Sequence, residues 1–173
     1  MKKFFLFIII FILLLFCFIV FFKGLNKSTD YIPNDPLGKK LVTFKGKDFF
    51  NNQGIISDEL FDENKFYLIN IWASWCLPCR VEHKSLMKLN KNTRLKIIGI
   101  NYKDDIENAH KFLNEKGNPY SIILKDKDGT ISIELGAYGV PETLIVNKKK
   151  IILKKFIGPI NDNNVKEIER IIE

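Results

Sequence analysis

The stretch Phe66-Tyr67-Leu68-Ile69-Asn70-Ile71-Trp72-Ala73-Ser74-Trp75-Cys76-Leu77-Pro78-Cys79-Arg80 decides how this chain is read. Its first seven residues are rich in β-branched and aromatic types, the composition of a buried strand. Small residues then turn the chain. From Pro78 it continues as Arg80-Val81-Glu82-His83-Lys84-Ser85-Leu86-Met87-Lys88-Leu89, with apolar Val81, Leu86 and Leu89 among helix-forming polar residues, an amphipathic helix. Two cysteines three apart therefore stand where a strand runs into a helix. At a helix N-terminus, unpaired backbone N–H groups and the positive end of the macrodipole favour a thiolate over a thiol. Cys76 is the expected nucleophile. Cys79, one turn further in, is expected to be less exposed and to resolve a mixed disulfide on Cys76. The pair reads as a redox-active dithiol.

Other uses of a Cys-x-x-Cys pair fit less well. A closed zinc site needs four ligands, and beyond Cys76, Cys79 and His83 the remaining candidates are the distant His110 and Cys17, which lies inside an apolar run. Neither a metal site nor another cofactor is expected. Covalent haem attachment requires a histidine directly after the second cysteine, where this chain has Arg80. A purely structural disulfide at this spacing closes a very small loop and constrains the unfolded chain little.

Upstream, Met1-Lys2-Lys3 is followed by nineteen uncharged residues, Phe4 to Phe22, and then by Lys23. At about 1.5 Å per residue such a helix covers the roughly 30 Å hydrocarbon core of a bilayer. The sequence Phe18-Ile19-Val20-Phe21-Phe22-Lys23-Gly24-Leu25 has no small-residue cleavage site, so an uncleaved signal anchor is expected. Cys17, with bulky Phe16 before it, reads as a lipid-facing thiol. The short basic start favours an N-terminus inside, although Lys23 and Lys27 nearly balance it. The expected organisation is residues 1–3 cytoplasmic, 4–22 a transmembrane anchor in the inner membrane, 23–37 a linker and 38–173 one compact domain in the periplasm. There two thiols can cycle with a disulfide. The chain of 173 residues carries a net charge of +7, but its lysines are scattered without an aromatic-bearing basic stripe, so no nucleic-acid partner is expected.

Beyond the first helix, Leu95 to Asn101 reads as a second strand, and Asp105 to Glu115 as a helix stopped by Gly117 and Pro119. This order implies a parallel βαβ unit. A short strand at Ser121 to Leu124 and a turn at Asp126 to Gly129 follow. Then come two apolar runs, Thr143 to Val146 and Ile151 to Phe156, joined by a lysine-containing turn. Asn161-Asp162 caps a last helix with Val165, Ile168 and Ile172 on one face. The fold class is α/β, a mixed sheet with helices on both faces.

Three further motifs, Asn101-Tyr102-Lys103-Asp104-Asp105, Gly117-Asn118-Pro119-Tyr120 and Gly136-Ala137-Tyr138-Gly139-Val140-Pro141-Glu142-Thr143, join the Cys-Leu-Pro-Cys turn. With them the chain from about Gly38 to its end resembles thioredoxin-fold proteins. Among these it resembles the DsbE/CcmG family of membrane-tethered thiol:disulfide oxidoreductases of cytochrome c maturation. The resemblance implies a thioredoxin-like fold and a cis Val140–Pro141 bond facing the two cysteines, where the backbone of Val140 meets a partner's extended chain. It implies Glu142 near Cys76 and Glu82 as a second acidic group, each raising the thiolate's proton affinity by opposing the helix dipole. Trp75 is expected beside the dithiol as a shield, Pro78 between the cysteines, Trp72 in the core and His83 in solvent. Asn70 stands where thioredoxins carry a buried aspartate that assists proton transfer, and Glu82 is the expected substitute. The implied partners are apocytochrome c, or a cytochrome c maturation component, as disulfide substrate and a membrane electron-transfer protein of the DsbD/CcdA type as reductant. Two rivals stay open: a thioredoxin-like oxidoreductase of other target or opposite direction, and a non-redox apocytochrome-binding module.

Overall fold

The computed structural model describes residues 2–25, 36–62 and 65–173. They divide into two units, Met1–Asp35 and Pro36–Glu173. In the first unit, helix α1 spans Lys2–Leu25. Its segment Lys3–Gly24 has a mean hydropathy of 3.6 and is long and apolar enough to cross a membrane. Phe4 to Phe22 are exposed around the whole circumference, with no apolar stripe to dock on a protein core. Most of the expected linker, residues 26–35, lies outside the described residues.

The second unit is a seven-stranded mixed sheet in the order β2-β1-β5-β4-β3-β6-β7. The strands are β1 (Lys45–Asp48), β2 (Gly54–Ile56), β3 (Phe66–Trp72), β4 (Leu95–Tyr102), β5 (Ile122–Asp126), β6 (Glu142–Val146) and β7 (Ile152–Ile157). Helix α2 (Leu77–Leu89) joins β3 to β4, α3 (Ile106–Lys116) joins β4 to β5, α4 (Thr130–Glu134) precedes β6, and α5 (Asp162–Ile172) closes the chain. Strands β3, β4 and β5 are mutually parallel, while β6 and β7 are added antiparallel on one side and β1 and β2 on the other.

Because both parallel crossovers step the same way along the sheet with the same hand, α2 and α3 land on one face. Helix α5 joins them. Leu68 and Trp72 of β3 pack there with Leu86, Leu89, Phe112, Leu113, Val165 and Ile168. Tyr67, Ile69 and Ile71, alternating with these, point to the opposite face against Leu41, Phe44, Ile131 and Leu135. Helices thus occur on both faces, as expected, but three to one. Strands β1 and β2 and the five-residue α4 were not anticipated from sequence. Trp72 is core, at 1 % exposure.

Helix starts follow local chemistry. Cys76 is the N-cap of α2, with Pro78 in the first turn, where a missing N–H costs nothing. Asp105 caps α3 by accepting from the Asn108 amide, and Asn161 and Asn164 form a reciprocal capping box on α5. Gly117, at φ +88°, ends α3.

Two expectations for α2 are corrected. Val81 is 69 % exposed rather than packed, and His83 is buried rather than solvated. The helix lies between the sheet, α3 and α5, so its buried arc is wide enough to take in adjacent Glu82 and His83. His83 Nε2 lies 3.0 Å from Gly117 O, and its ring meets Phe112 edge-on at 4.8 Å. Burial lowers its proton affinity.

Candidate active site

Cys76 and Cys79 are joined in a disulfide at the mouth of α2. The Cys79 amide donates to Cys76 Sγ at 3.1 Å, an N-cap bond in which sulfur plays the acceptor. Both residues are 3 % exposed, so the expected difference in exposure is absent in the disulfide form. Around them the surface is apolar: Trp75, Leu77 and Val81 are 58 %, 72 % and 69 % exposed. Trp75 stands at the rim, its Nε1 donating to Lys103 O at 3.1 Å.

The turn that carries the dithiol is fastened to the β4–α3 loop by Asp104. Its Oδ1 accepts from Ser74 Oγ at 2.7 Å and from the Asp105 amide at 2.9 Å, and its Oδ2 accepts from the Ser74 amide and from Asn101 Nδ2. Arg80 Nε donates back to Ser74 O at 3.0 Å, and its guanidinium lies 5.0 Å over Phe112. Asp104 and Ser74 escaped the sequence reading, although Asp104 belongs to a quoted motif.

Val140–Pro141 is a cis peptide bond. The pairing of Ile71 with Glu142 and of Asn70 with Thr143 places it at the end of the sheet from which β3 enters the dithiol turn. The Pro141 carbonyl is taken by the Gly158 amide at 2.9 Å. Glu142, 1 % exposed, accepts from the Tyr138 and Gly139 amides through Oε1. Its Oε2 meets Lys155 Nζ at 2.7 Å, an ion pair whose side chains are both almost fully enclosed. Lys155 also donates to Gly136 O and lies 4.6 Å over the Tyr138 ring. One carboxylate and one ammonium thus hold the 136–139 loop beside the cis bond.

Behind the dithiol lies Glu82, with 0 % exposure. Its Oε1 accepts from Asn70 Nδ2 at 2.8 Å and its Oε2 from the Ile160 amide at 2.8 Å. Asn70 Nδ2 also donates to Thr143 Oγ1 at 3.0 Å, and Asn70 Oδ1 accepts from the Tyr120 hydroxyl at 2.9 Å. No cation enters this group among the described residues. Burial pushes the Glu82 carboxyl up to about 7, against the pull of its two neutral donors. The structure therefore buries both glutamates on which the resemblance drew, and gives only one of them a counter-charge. Tyr120, Thr143 and Ile160 were not singled out; the motif Gly117 to Tyr120 was the signal that could have found the first.

Residues 38–172 match the family model described as Redoxin. The chain belongs to the Redoxin family. It is 40 % identical over 126 residues to the thiol:disulfide interchange protein DsbE of Haemophilus influenzae, covering 73 % of this chain and 68 % of that one. It is 37 % identical over 141 residues to DsbE of Pseudomonas fluorescens, covering 82 % and 78 %. Among solved structures, the thioredoxin domain of a thiol-disulfide oxidoreductase from Bacteroides vulgatus superposes with a TM-score of 0.67 at 20 % identity, covering 79 % of this chain and 98 % of that one. The Redoxin domain here is a thioredoxin fold, and its chemistry is thiol:disulfide exchange. Among its described residues no cluster of three or more His, Cys, Asp or Glu is arranged to hold a metal.

Proposed function

We propose that this chain is a membrane-anchored periplasmic dithiol reductant that keeps the haem-binding cysteines of an apocytochrome c, or a haem-ligation component, in the thiol form. The single observation that carries the chemistry is a disulfide at a helix N-terminus with an uncompensated buried carboxyl behind it. The anchor reading rests on the apolar α1, and the cytochrome reading on the sequence motifs together with relatives named DsbE.

In the reduced protein, the Cys76 thiolate attacks one sulfur of a target disulfide. A Cys76–target bond forms, the target S–S bond breaks, and the first target thiolate leaves and takes a proton from solvent, to which Cys76 had released its own on ionising. Cys79 then gives up its proton to the Glu82 carboxylate, each oxygen of which retains a lone pair beyond its one donor. The Cys79 thiolate attacks Cys76 Sγ, closing the disulfide and expelling the second target thiolate, which takes up the proton. Two electrons and two protons pass to the target. A carboxyl with proton affinity near neutrality suits this transfer in both directions. Val140 and Pro141 bind the target chain beside the dithiol, Glu142 holds their loop, Trp75 borders the contact, and Pro78 restrains the turn. A membrane electron-transfer protein of the DsbD/CcdA type restores the dithiol.

The test is the reduction potential of the full chain in detergent, equilibrated with dithiothreitol or glutathione buffers. A value below about −200 mV supports a reductant, whereas one near −120 mV makes the protein an oxidant and overturns the direction. Cys76→Ser is expected to abolish reduction of an apocytochrome disulfide; retained cytochrome maturation with this variant would leave only a binding role.

A further inference from the structure

The motif Gly117-Asn118-Pro119-Tyr120 does no work in the sulfur chemistry described above, yet its last residue reaches the centre of the buried polar group. Gly117 ends α3, and Asn118 Oδ1 accepts from the Tyr120 amide at 3.0 Å. The Tyr120 ring stacks on Trp72 at 5.3 Å and 15°. A Cβ on Gly99 would stand 2.9 Å from both Trp72 Nε1 and Tyr120 Cδ1, so the glycine leaves the space the stack occupies. The ring is fixed, and its hydroxyl points at Asn70 Oδ1.

An asparagine amide has one accepting end and one donating end, so its orientation decides what it offers its neighbours. With NH2 toward Glu82 and Thr143, Asn70 supports an ionised Glu82. Turned over, it would set Oδ1 against Glu82, which suits a protonated carboxyl and repels a carboxylate. We propose that Tyr120 is a positioning residue for Glu82: by donating to Asn70 Oδ1 it holds the amide in the orientation that serves the anion, and so limits how tightly Glu82 binds a proton. In the turned-over amide the Tyr120 hydroxyl proton would face NH2 and lose its acceptor inside the protein, which costs free energy. Burial and the nearby Glu82 charge hold the phenol well above its ordinary range, so it remains a donor throughout.

Few other charges compete for this control. Facing Glu82, β3 contributes neutral Asn70, itself bonded to neutral Thr143 of β6, and the segment before α5 contributes the backbone amide of Ile160. The ionisable groups nearby are the Tyr120 phenol, the imidazole of adjacent His83, which is directed to Gly117 O and Phe112 and whose proton affinity burial lowers, and, in the reduced protein alone, the two thiols one to two turns earlier on α2. The proposal deepens the role given to Glu82 above and rests on it.

The experiment is a carboxyl ¹³C NMR titration of the full-length oxidised chain in detergent, with Glu82→Gln identifying the resonance. Wild-type Glu82 is expected to titrate near 7. Tyr120→Phe, which removes only the oxygen, is expected to raise proton affinity roughly fivefold, a midpoint shift of ~0.7 pH unit, the effect of one buried hydrogen bond. Thr143→Val removes the acceptor of the second Asn70 N–H and is expected to move the midpoint the same way, which decides the matter if Tyr120→Phe does not fold. An unmoved or lowered midpoint in a natively folded variant overturns the proposal and leaves Tyr120 a packing residue. The titration reads no activity: if Glu82 shifts but the rate of mixed-disulfide resolution does not follow its protonation, the role of Glu82 as proton acceptor fails while the control by Tyr120 stands.

Discussion

Glu82 and Glu142 are buried to the same degree, at 0 % and 1 % exposure, on opposite sides of the entrance to the dithiol turn, yet they are accommodated by different means. Glu142 meets an ammonium and two backbone amides, so its charge is balanced and its oxygens are tied to the loop before the cis bond. Glu82 meets only neutral donors, and the desolvation of its charge is left to proton uptake. A buried carboxyl with a cation is a fastening; one without is a proton store. The sequence contains glutamate in both places, and the difference in counter-charge lies in Lys155, thirteen residues beyond Glu142 and seventy-three beyond Glu82 in the chain.

The comparison breaks most visibly at that lysine. Lys155→Met leaves Glu142 buried with no counter-charge and is expected to cost on the order of 3–5 kcal/mol in urea unfolding. Adding Glu142→Gln should return most of the loss; if the double variant is no better than the single one, the pair is not what holds the loop. Next in size is the pH dependence of Glu82. Its folded value of about 7 lies above the ordinary 4.5, so the folded state holds the proton more tightly than the unfolded chain does. The associated stability is complete below about 4.5 and is lost as pH rises to about 7. Between pH 4 and 8 the wild type should therefore lose about 3 kcal/mol relative to Glu82→Gln, read from paired urea midpoints. Parallel curves for the two proteins would show that Glu82 is no proton store. Smaller still is Asp104→Asn, which replaces an acceptor oxygen with a donor facing Ser74 or Asn101 and is expected to cost about 1–2 kcal/mol. Hydrogen exchange of the Ser74 to Cys76 amides should rise with it, whereas exchange along β6 should not.

Much of this arrangement is legible in the sequence, because it is carried by local signals. A run of β-branched and aromatic residues, two cysteines and a proline locate the dithiol turn, and Asn161 with Val165, Ile168 and Ile172 locates α5. The residues that escaped are those whose environment is made by distant chain. Strand β1 is Lys-Gly-Lys-Asp, with no apolar alternation of its own, and becomes a strand by pairing with β5. Helix α4 is a single short turn tied down by Asp126, whose carboxylate accepts from Ile131, Ser132 and the Ser132 hydroxyl. His83 reads as solvated from sequence because, next to Glu82, it points to a different part of the helix surface; its partner, the Gly117 carbonyl, arrives from the end of α3. Likewise the resemblance pointed to both glutamates but could not say which one would find a cation.

The Asp104 clamp also bears on how this domain can vary in length. A carboxylate that holds Ser74 on one loop and Asn101 at the end of β4 fixes the spacing of both, so an inserted residue between 101 and 105 would pull the cysteine-bearing turn out of register. The turn between β1 and β2 is anchored at its start, where Phe49 is buried in the core and its amide donates to Ile123 O; beyond it residues 50–53 are exposed and held largely by local bonds, Asp48 accepting from the Phe50 and Asn51 amides and Asn51 from that of Gln53. Added residues there would lengthen an exposed tip at the margin of the sheet. Loop growth, peptide tags and fused modules therefore belong at the β1–β2 tip, while the 101–105 segment admits exchange of side chains but not of length.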